Sequence, residues 1–257
     1  MLPRDDVYLE VHLVDGCNLK CAGCLHFSNY AHTGILSLED ADRQFETWSQ
    51  KLAPGRVNLM GGEPTLSPYL LPIIRSACRH FSKSKIVLIT NGLRLALHEG
   101  LAELCLSLNV AVRVSRHEGK GRLNYQGEFA SVERLADRWM AQGIDIQIWD
   151  SVANWINKGP NDRLKFEQPV LGDADDNWNR CDNSKIRYIQ LKDNHLWKCY
   201  FTAYAPLVAT RFKLNLPLWQ PLLEYKPLPS TATTEELIRF LDRQGEEVCS
   251  LCFYNNP

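Results

Sequence analysis

The sequence predicts an α/β fold: a partial, TIM-like barrel of five or six strand–helix units, followed by a small extension made of a β-hairpin and a helix. Three observations predict it. β-rich runs alternate with amphipathic runs from Val7 to Asp150. The connections between them are short, which calls for right-handed βαβ units and a parallel sheet. Beyond Asp150 the alternation stops, and hairpin and helix-capping signals replace it.

Each element has its own signal. Val7 to Asp15 is β-rich and alternating, so it reads as the first strand. From Ser37 to Leu52, Leu38, Ala41, Phe45, Trp48 and Leu52 recur at helical spacing, and Ser37 with Asp40 supplies a cap. Strands are expected at Arg56–Met60, Lys85–Ile89, Val110–Ser115 and Ile144–Trp149. Helices are expected at about Ser67–Phe81, Leu95–Ser107 and Phe129–Met140. Residues 151–185 read as a loop, with a possible covering role for Trp155, Lys158, Asp162, Arg163 and Trp178. Ile186–Leu191 and His195–Cys199 read as a hairpin turning at Asp193-Asn194. The prolines at 206, 217, 221, 227 and 229 predict an irregular connection, and Thr233 with Glu236 caps a last helix to about Gln244. The domain division is expected between 1–165 and 166–257.

Composition narrows the function. The chain has 257 residues, 45% hydrophobic and 23% charged, with a formal net charge of −1. That balance gives no electrostatic reason for a nucleic-acid or membrane partner. No apolar run approaches a membrane span and Met1–Asp6 lacks a signal-peptide core, so a cytoplasmic location is expected. Nine cysteines are many for such a protein, and in a reducing compartment they point to metal or redox chemistry. Cys78 and Cys105 stand apart inside helices as small hydrophobes. The other seven form two sets.

The first set is Cys17-x3-Cys21-x2-Cys24, directly after the first strand. Three thiolates can ligate three irons of a [4Fe–4S] cube and leave the fourth iron open. A zinc loop would need a fourth ligand from His12, His26 or His32, and it leaves Gly61-Gly62-Glu63 after the second strand unexplained. The second set is Cys181, Cys199, Cys249 and Cys252: either a four-cysteine zinc site or a fully ligated second cluster.

Together the CxxxCxxC loop after the first strand and the Gly-Gly-Glu motif after the second resemble the radical SAM superfamily, over roughly residues 7–150. The hairpin with the closing CxxC resembles its SPASM/twitch extensions, which carry an auxiliary cluster. In size and layout the chain is similar to twitch-containing aminocyclitol dehydrogenases.

The resemblance implies a SAM-binding [4Fe–4S] cluster on Cys17, Cys21 and Cys24, and an auxiliary [4Fe–4S] cluster on Cys181, Cys199, Cys249 and Cys252. It implies S-adenosylmethionine held by Gly61, Gly62 and Glu63, with Thr90, Asn91, Ser115, Arg116, Ile148 and Trp149 around it. His26, Arg116, His117 and Glu118 are the candidate catalytic groups. The implied partners are a flavodoxin or ferredoxin as electron donor and a small polar substrate. The implied reaction is hydrogen-atom abstraction by a 5′-deoxyadenosyl radical, then oxidation of an alcohol. Peptide modification, redox-neutral rearrangement and a non-catalytic iron–sulfur or zinc scaffold are the alternatives.

Overall fold

The computed structural model describes residues 1–21, 24–30, 32–117, 125–151, 172–213 and 217–252. One eight-stranded sheet organises them, with strand order β5-β4-β3-β2-β1-β6-β7-β8. Strands β1 (Leu2–His12), β2 (Leu52–Met60), β3 (Lys85–Thr90), β4 (Ala111–Arg116) and β5 (Ile146–Asp150) are parallel neighbours. Helices α1 (Leu38–Ser49), α2 (Leu70–His80), α3 (Leu101–Ser107) and α4 (Tyr125–Ala141) connect them. This is the partial barrel that the alternation predicts.

The hairpin also belongs to this sheet. Strand β6 (Arg187–Lys192) pairs in parallel with β1, and β7 (His195–Trp197) turns back antiparallel to it. Asp193 and Asn194 adopt φ of 52° and 58°, the left-handed pair that a tight hairpin needs. Trp48 Nε1 donates to Asn194 O at 3.4 Å and Asn194 N donates to Gln44 Oε1 at 2.9 Å, docking the turn on α1. The two parts of the chain thus share β1 as a common central strand, and the division expected at 165/166 falls outside the described residues.

Residues 2 apart on β1 face opposite sides. Val7, Leu9 and Val11 join Ala41, Phe45 and Trp48 of α1 and Ile73, Ile74 and Ala77 of α2 in the main apolar core. Tyr8, Glu10 and His12 face the barrel interior. Tyr8 is flanked in register by Arg56 and Tyr188, Glu10 by Asn58 and Gln190, and His12 by Met60. The interior layers around β1 are therefore polar, whereas the helix side is not.

Three expectations are corrected. Residues 151–185 are not loop throughout: α5 (Ala174–Arg180) forms where Asp173 Oδ1 accepts from Asp176 N at 2.8 Å, so the acidic stretch is a cap and first helical turn. The connection expected to be irregular opens with α6 (Tyr200–Phe212), which runs through Pro206. Phe201, Ala203, Tyr204 and Val208 of α6 pack with Phe27, Trp219, Leu222, Val248 and Leu251 in a second core. Each fully buried apolar side chain contributes about 1.5–3 kcal/mol, which outweighs the roughly 3 kcal/mol cost of an interior proline. The third helix is shortened, because Gly100 at φ +76° separates a 3-10 turn at Leu95–Leu97 from α3. After α6 come α7 (Gln220–Leu223), β8 (Leu228–Pro229) and α8 (Thr234–Leu241), the last with the expected Thr233/Glu236 capping box. Among the described residues no helix is long and apolar enough to cross a membrane.

Candidate active site

The first cysteine loop is seated against the exit of β2. Gly62 N donates to Val14 O at 2.7 Å, and Glu63 N donates to Gly16 O at 2.9 Å. A Cβ on Gly61, whose φ is +149°, would stand 2.4 Å from Val14 O; one on Gly62 would stand 2.0 Å from Gly16 O. Two glycines are needed here so that the chain entering the cysteine loop can lie directly on the β2 exit.

Glu63 is fully buried. Its Oε1 accepts from Thr65 N (3.0 Å), Thr65 Oγ1 (2.5 Å) and Thr90 Oγ1 (2.6 Å), and its Oε2 accepts from Asn91 N (2.8 Å). Burial raises its pKa, and these donors oppose the rise. The carboxylate therefore braces the ends of β2 and β3. Asn91 extends the brace, donating through Nδ2 to Asn18 Oδ1 at 2.7 Å inside the cysteine loop.

Cys17, Cys21 and Cys24 surround one small cavity, whose other walls include Gly61, Gly62, Thr90 and Asn91. Ser115 and His117, from the end of β4 and just past it, and His26 close it. Burial pushes the Cys17 thiol up to about 12, with Glu63, Cys24 and Cys21 adding to the rise. Three mutually sensed thiols around a cavity are the donor set that a cubane with one open corner requires. Among the described residues no three His, Cys, Asp or Glu side chains converge tightly enough for a single metal ion.

The second set is assembled by α5, α6 and the terminal loop. Cys181 caps the C-terminal end of α5, and Cys199 is the N-cap of α6. Cys249 and Cys252 lie in and just after a 3-10 turn at Glu247–Leu251. Burial pushes Cys199 up to about 12, and Cys181 and Cys249 contribute to that rise. Asn177 Nδ2 holds Cys249 O at 2.8 Å; Lys198 Nζ holds Gln244 O at 2.6 Å and Glu246 Oε1 at 2.7 Å. Cys199 thus faces Cys181 and Cys249, while Cys252 follows in the same terminal turn as Cys249.

A cavity of about 370 Å³ lies at the C-terminal ends of the strands and shares part of its wall with the triad cavity. His26 and Ser115 belong to its wall and to that of the triad cavity, and Cys181 stands in its wall as well. Trp149 lines it; Ile148, one residue earlier, packs instead against the helix-side core, because strand alternation turns it away. The Ile148 side chain therefore faces the helices and lines neither cavity. Arg116 is committed elsewhere: it pairs with Glu133 and, at 3.2 Å, with Asp150, and its guanidinium lies over Phe129. It lines neither cavity. His117 N donates to Tyr125 Oη at 2.7 Å, and burial lowers the imidazole pKa. Glu118 and residues 152–171, with Trp155, Lys158, Asp162 and Arg163, lie outside the described residues.

Sequence reading missed Glu10, which lines the larger cavity and is 7% exposed. The available signal was a polar residue at alternate positions of a strand that has parallel neighbours on both sides.

The sequence profile described as "Radical SAM superfamily" matches residues 11–151, more than half of the chain. A GTP 3′,8-cyclase of Brucella ovis is 26% identical over 152 residues, covering 56% of this chain and 44% of that protein. A GTP 3′,8-cyclase of Cronobacter sakazakii is 24% identical over 192 residues, covering 67% and 58%. The chain thus spans about half the length of these curated relatives. A crystal structure of BtrN in complex with AdoMet and 2-DOIA superposes with a TM-score of 0.52 at 15% identity, covering 97% of this chain and 92% of that one, a likeness of fold.

Proposed function

The chain belongs to the radical SAM superfamily, and from that premise we propose that it oxidises a small polar alcohol with the help of a second [4Fe–4S] cluster. Membership brings the SAM-binding [4Fe–4S] cluster and SAM itself. One observation carries the finer reading: a single chamber borders His26 and Ser115 of the triad cavity and also Cys181 of the second set. A substrate resting there would lie beside Cys181 and across the shared wall of His26 and Ser115 from the triad cavity.

In this reading Cys17, Cys21 and Cys24 hold the first cluster, and Cys181, Cys199, Cys249 and Cys252 hold the second. Gly61 to Glu63, Thr90, Asn91 and Ser115 form the SAM cradle. Bound there, the groups supply a 5′-deoxyadenosyl radical that abstracts a hydrogen atom and a one-electron sink. The residues do the rest. Glu63 fixes the strand ends; Trp149 and Tyr200 wall the chamber; His26, in the wall shared by the chamber and the triad cavity, accepts the hydroxyl proton. Alcohol to ketone then balances as one hydrogen atom, one proton and one electron. The starting electron comes from an external flavodoxin or ferredoxin, in the cytoplasm.

The reconstituted protein is expected to hold about eight irons, four per cubane. Deuterium at the oxidised carbon is expected in 5′-deoxyadenosine, with a ketone as product. About four irons, or label transfer without net oxidation, rejects the reading. The second outcome supports the rival reading, a redox-neutral rearrangement, which the sequence similarity to the cyclases favours.

A further inference from the structure

We propose that Ser28 sets the reduction potential of the first cluster by donating its hydroxyl hydrogen to the Cys24 sulfur. This rests on superfamily membership alone and is independent of alcohol oxidation and of a second cluster.

The chain after Cys24 folds back so that donors point at that sulfur. Phe27 N donates to Cys24 O at 3.1 Å, which closes a tight turn, and Phe27 itself adopts a φ of 58°. An apolar residue rarely holds that conformation. Here its ring is buried with Phe201 and Trp219 in the second core, and that burial holds the turn. The chain turns again at Ser28–Tyr30. The backbone N–H groups of His26, Ser28 and Asn29 thereby reach the Cys24 sulfur. Cys17, by comparison, accepts from Leu19 N at 3.3 Å and from Asn91 Nδ2 at 3.9 Å.

Ser28 Oγ stands beside the same sulfur. Ser28 is 1% exposed, and its hydroxyl completes no hydrogen bond among the described residues. A buried hydroxyl without a partner is costly, and each such group calls for an explanation. A neutral thiol is a weak acceptor, whereas an iron-bound thiolate carries charge and accepts strongly. Ligation of iron by Cys24 therefore supplies the partner that the hydroxyl lacks. Any residue but proline would supply the N–H group at position 28; the O–H is what serine adds. Reduction places one more negative charge on the cluster, so a donor on its sulfur stabilises the reduced state more than the oxidised one. Burial strengthens the effect, because no water competes for the sulfur. The hydroxyl thus raises the midpoint and eases delivery of the electron by a flavodoxin or ferredoxin.

The test is a potentiometric titration of anaerobically reconstituted full-length protein, with the reduced clusters followed by EPR. SAM added to a matched sample marks the first cluster, since SAM binds at its open iron. In Ser28→Ala the reduced-to-oxidised ratio of that cluster at a fixed potential is expected to fall about tenfold, roughly 59 mV for one electron. Iron content and the spectral response to SAM are expected to match wild type. Ser28→Thr keeps the hydroxyl and is expected to restore the midpoint. An unchanged midpoint in Ser28→Ala overturns the proposal. So does a Ser28→Thr protein with full iron and the alanine midpoint. Loss of first-cluster iron or of fold in Ser28→Ala overturns it too, because the hydroxyl then holds the loop instead of tuning the cluster. None of these readouts involves substrate, so alcohol oxidation stands or falls separately.

Discussion

Thr90 Oγ1 donates a 2.6 Å hydrogen bond to Glu63 Oε1, which fastens the end of β3 to the exit of β2. Both residues are buried, so the bond is shielded from water. Thr90→Val keeps the shape and removes the donor. The expected cost is about 1–3 kcal/mol in chemical unfolding, with weaker SAM binding and unchanged iron content. Unchanged SAM affinity would show that this brace does not position the cradle.

Gly62→Ala is expected to be more severe at the site than in the fold. Its Cβ would meet backbone, Gly16 O at 2.0 Å, which cannot swing aside as a side chain can. The cysteine loop must shift, and iron on the first triad is expected to be lost while circular dichroism stays near wild type. Retention of both clusters would refute the close seating of the loop.

Cluster loading is expected to strengthen as pH rises. Cys17 and Cys199 are each pushed up to about 12 by burial, so both are protonated thiols at neutral pH. A thiol must lose its proton to ligate iron. Below about pH 12 each such ligand adds about tenfold to apparent affinity per pH unit, and acid favours release. Chelator competition at pH 7 and pH 8 measures this, and a flat profile would contradict it.

Lys198→Met separates the two cysteine sets. Lys198 is 6% exposed, bonds to Gln244 O and Glu246 Oε1, and lies 4.4 Å from the centre of the Trp178 ring. Without it the terminal loop carrying Cys249 and Cys252 loses its tie to the hairpin. The expected loss is about 1–3 kcal/mol and roughly half of the iron, with SAM cleavage retained. Equal loss from both sets would show that the two are not independently held.

Much of the fold was legible because it depends on local rules. Alternation marked β1 to β5, and capping pairs marked α1 and α8. Asp193-Asn194 marked the turn between β6 and β7. The misread segments are those where non-local packing overrides a local signal. Pro206 reads as a break, yet the second core around Tyr204 and Trp219 keeps α6 continuous. Asp175 and Asp176 read as solvated loop, yet they form the first turn of a helix that carries Cys181.

The candidate site divides in the same way. Cysteine spacing and Gly61-Gly62-Glu63 are contiguous motifs, so the sequence by itself determined the superfamily. It also named the four cysteines of the second set, because thiol count and spacing are one-dimensional facts. Only the tertiary structure decided that β6 pairs with β1. That pairing places Gln190 beside Glu10 and brings Tyr188 and Cys181 into the wall of a chamber that shares His26 and Ser115 with the triad cavity. The physical reason is that hydrogen-bond partners and cavity walls come from strands nearly two hundred residues apart, and no local periodicity encodes which of them become neighbours.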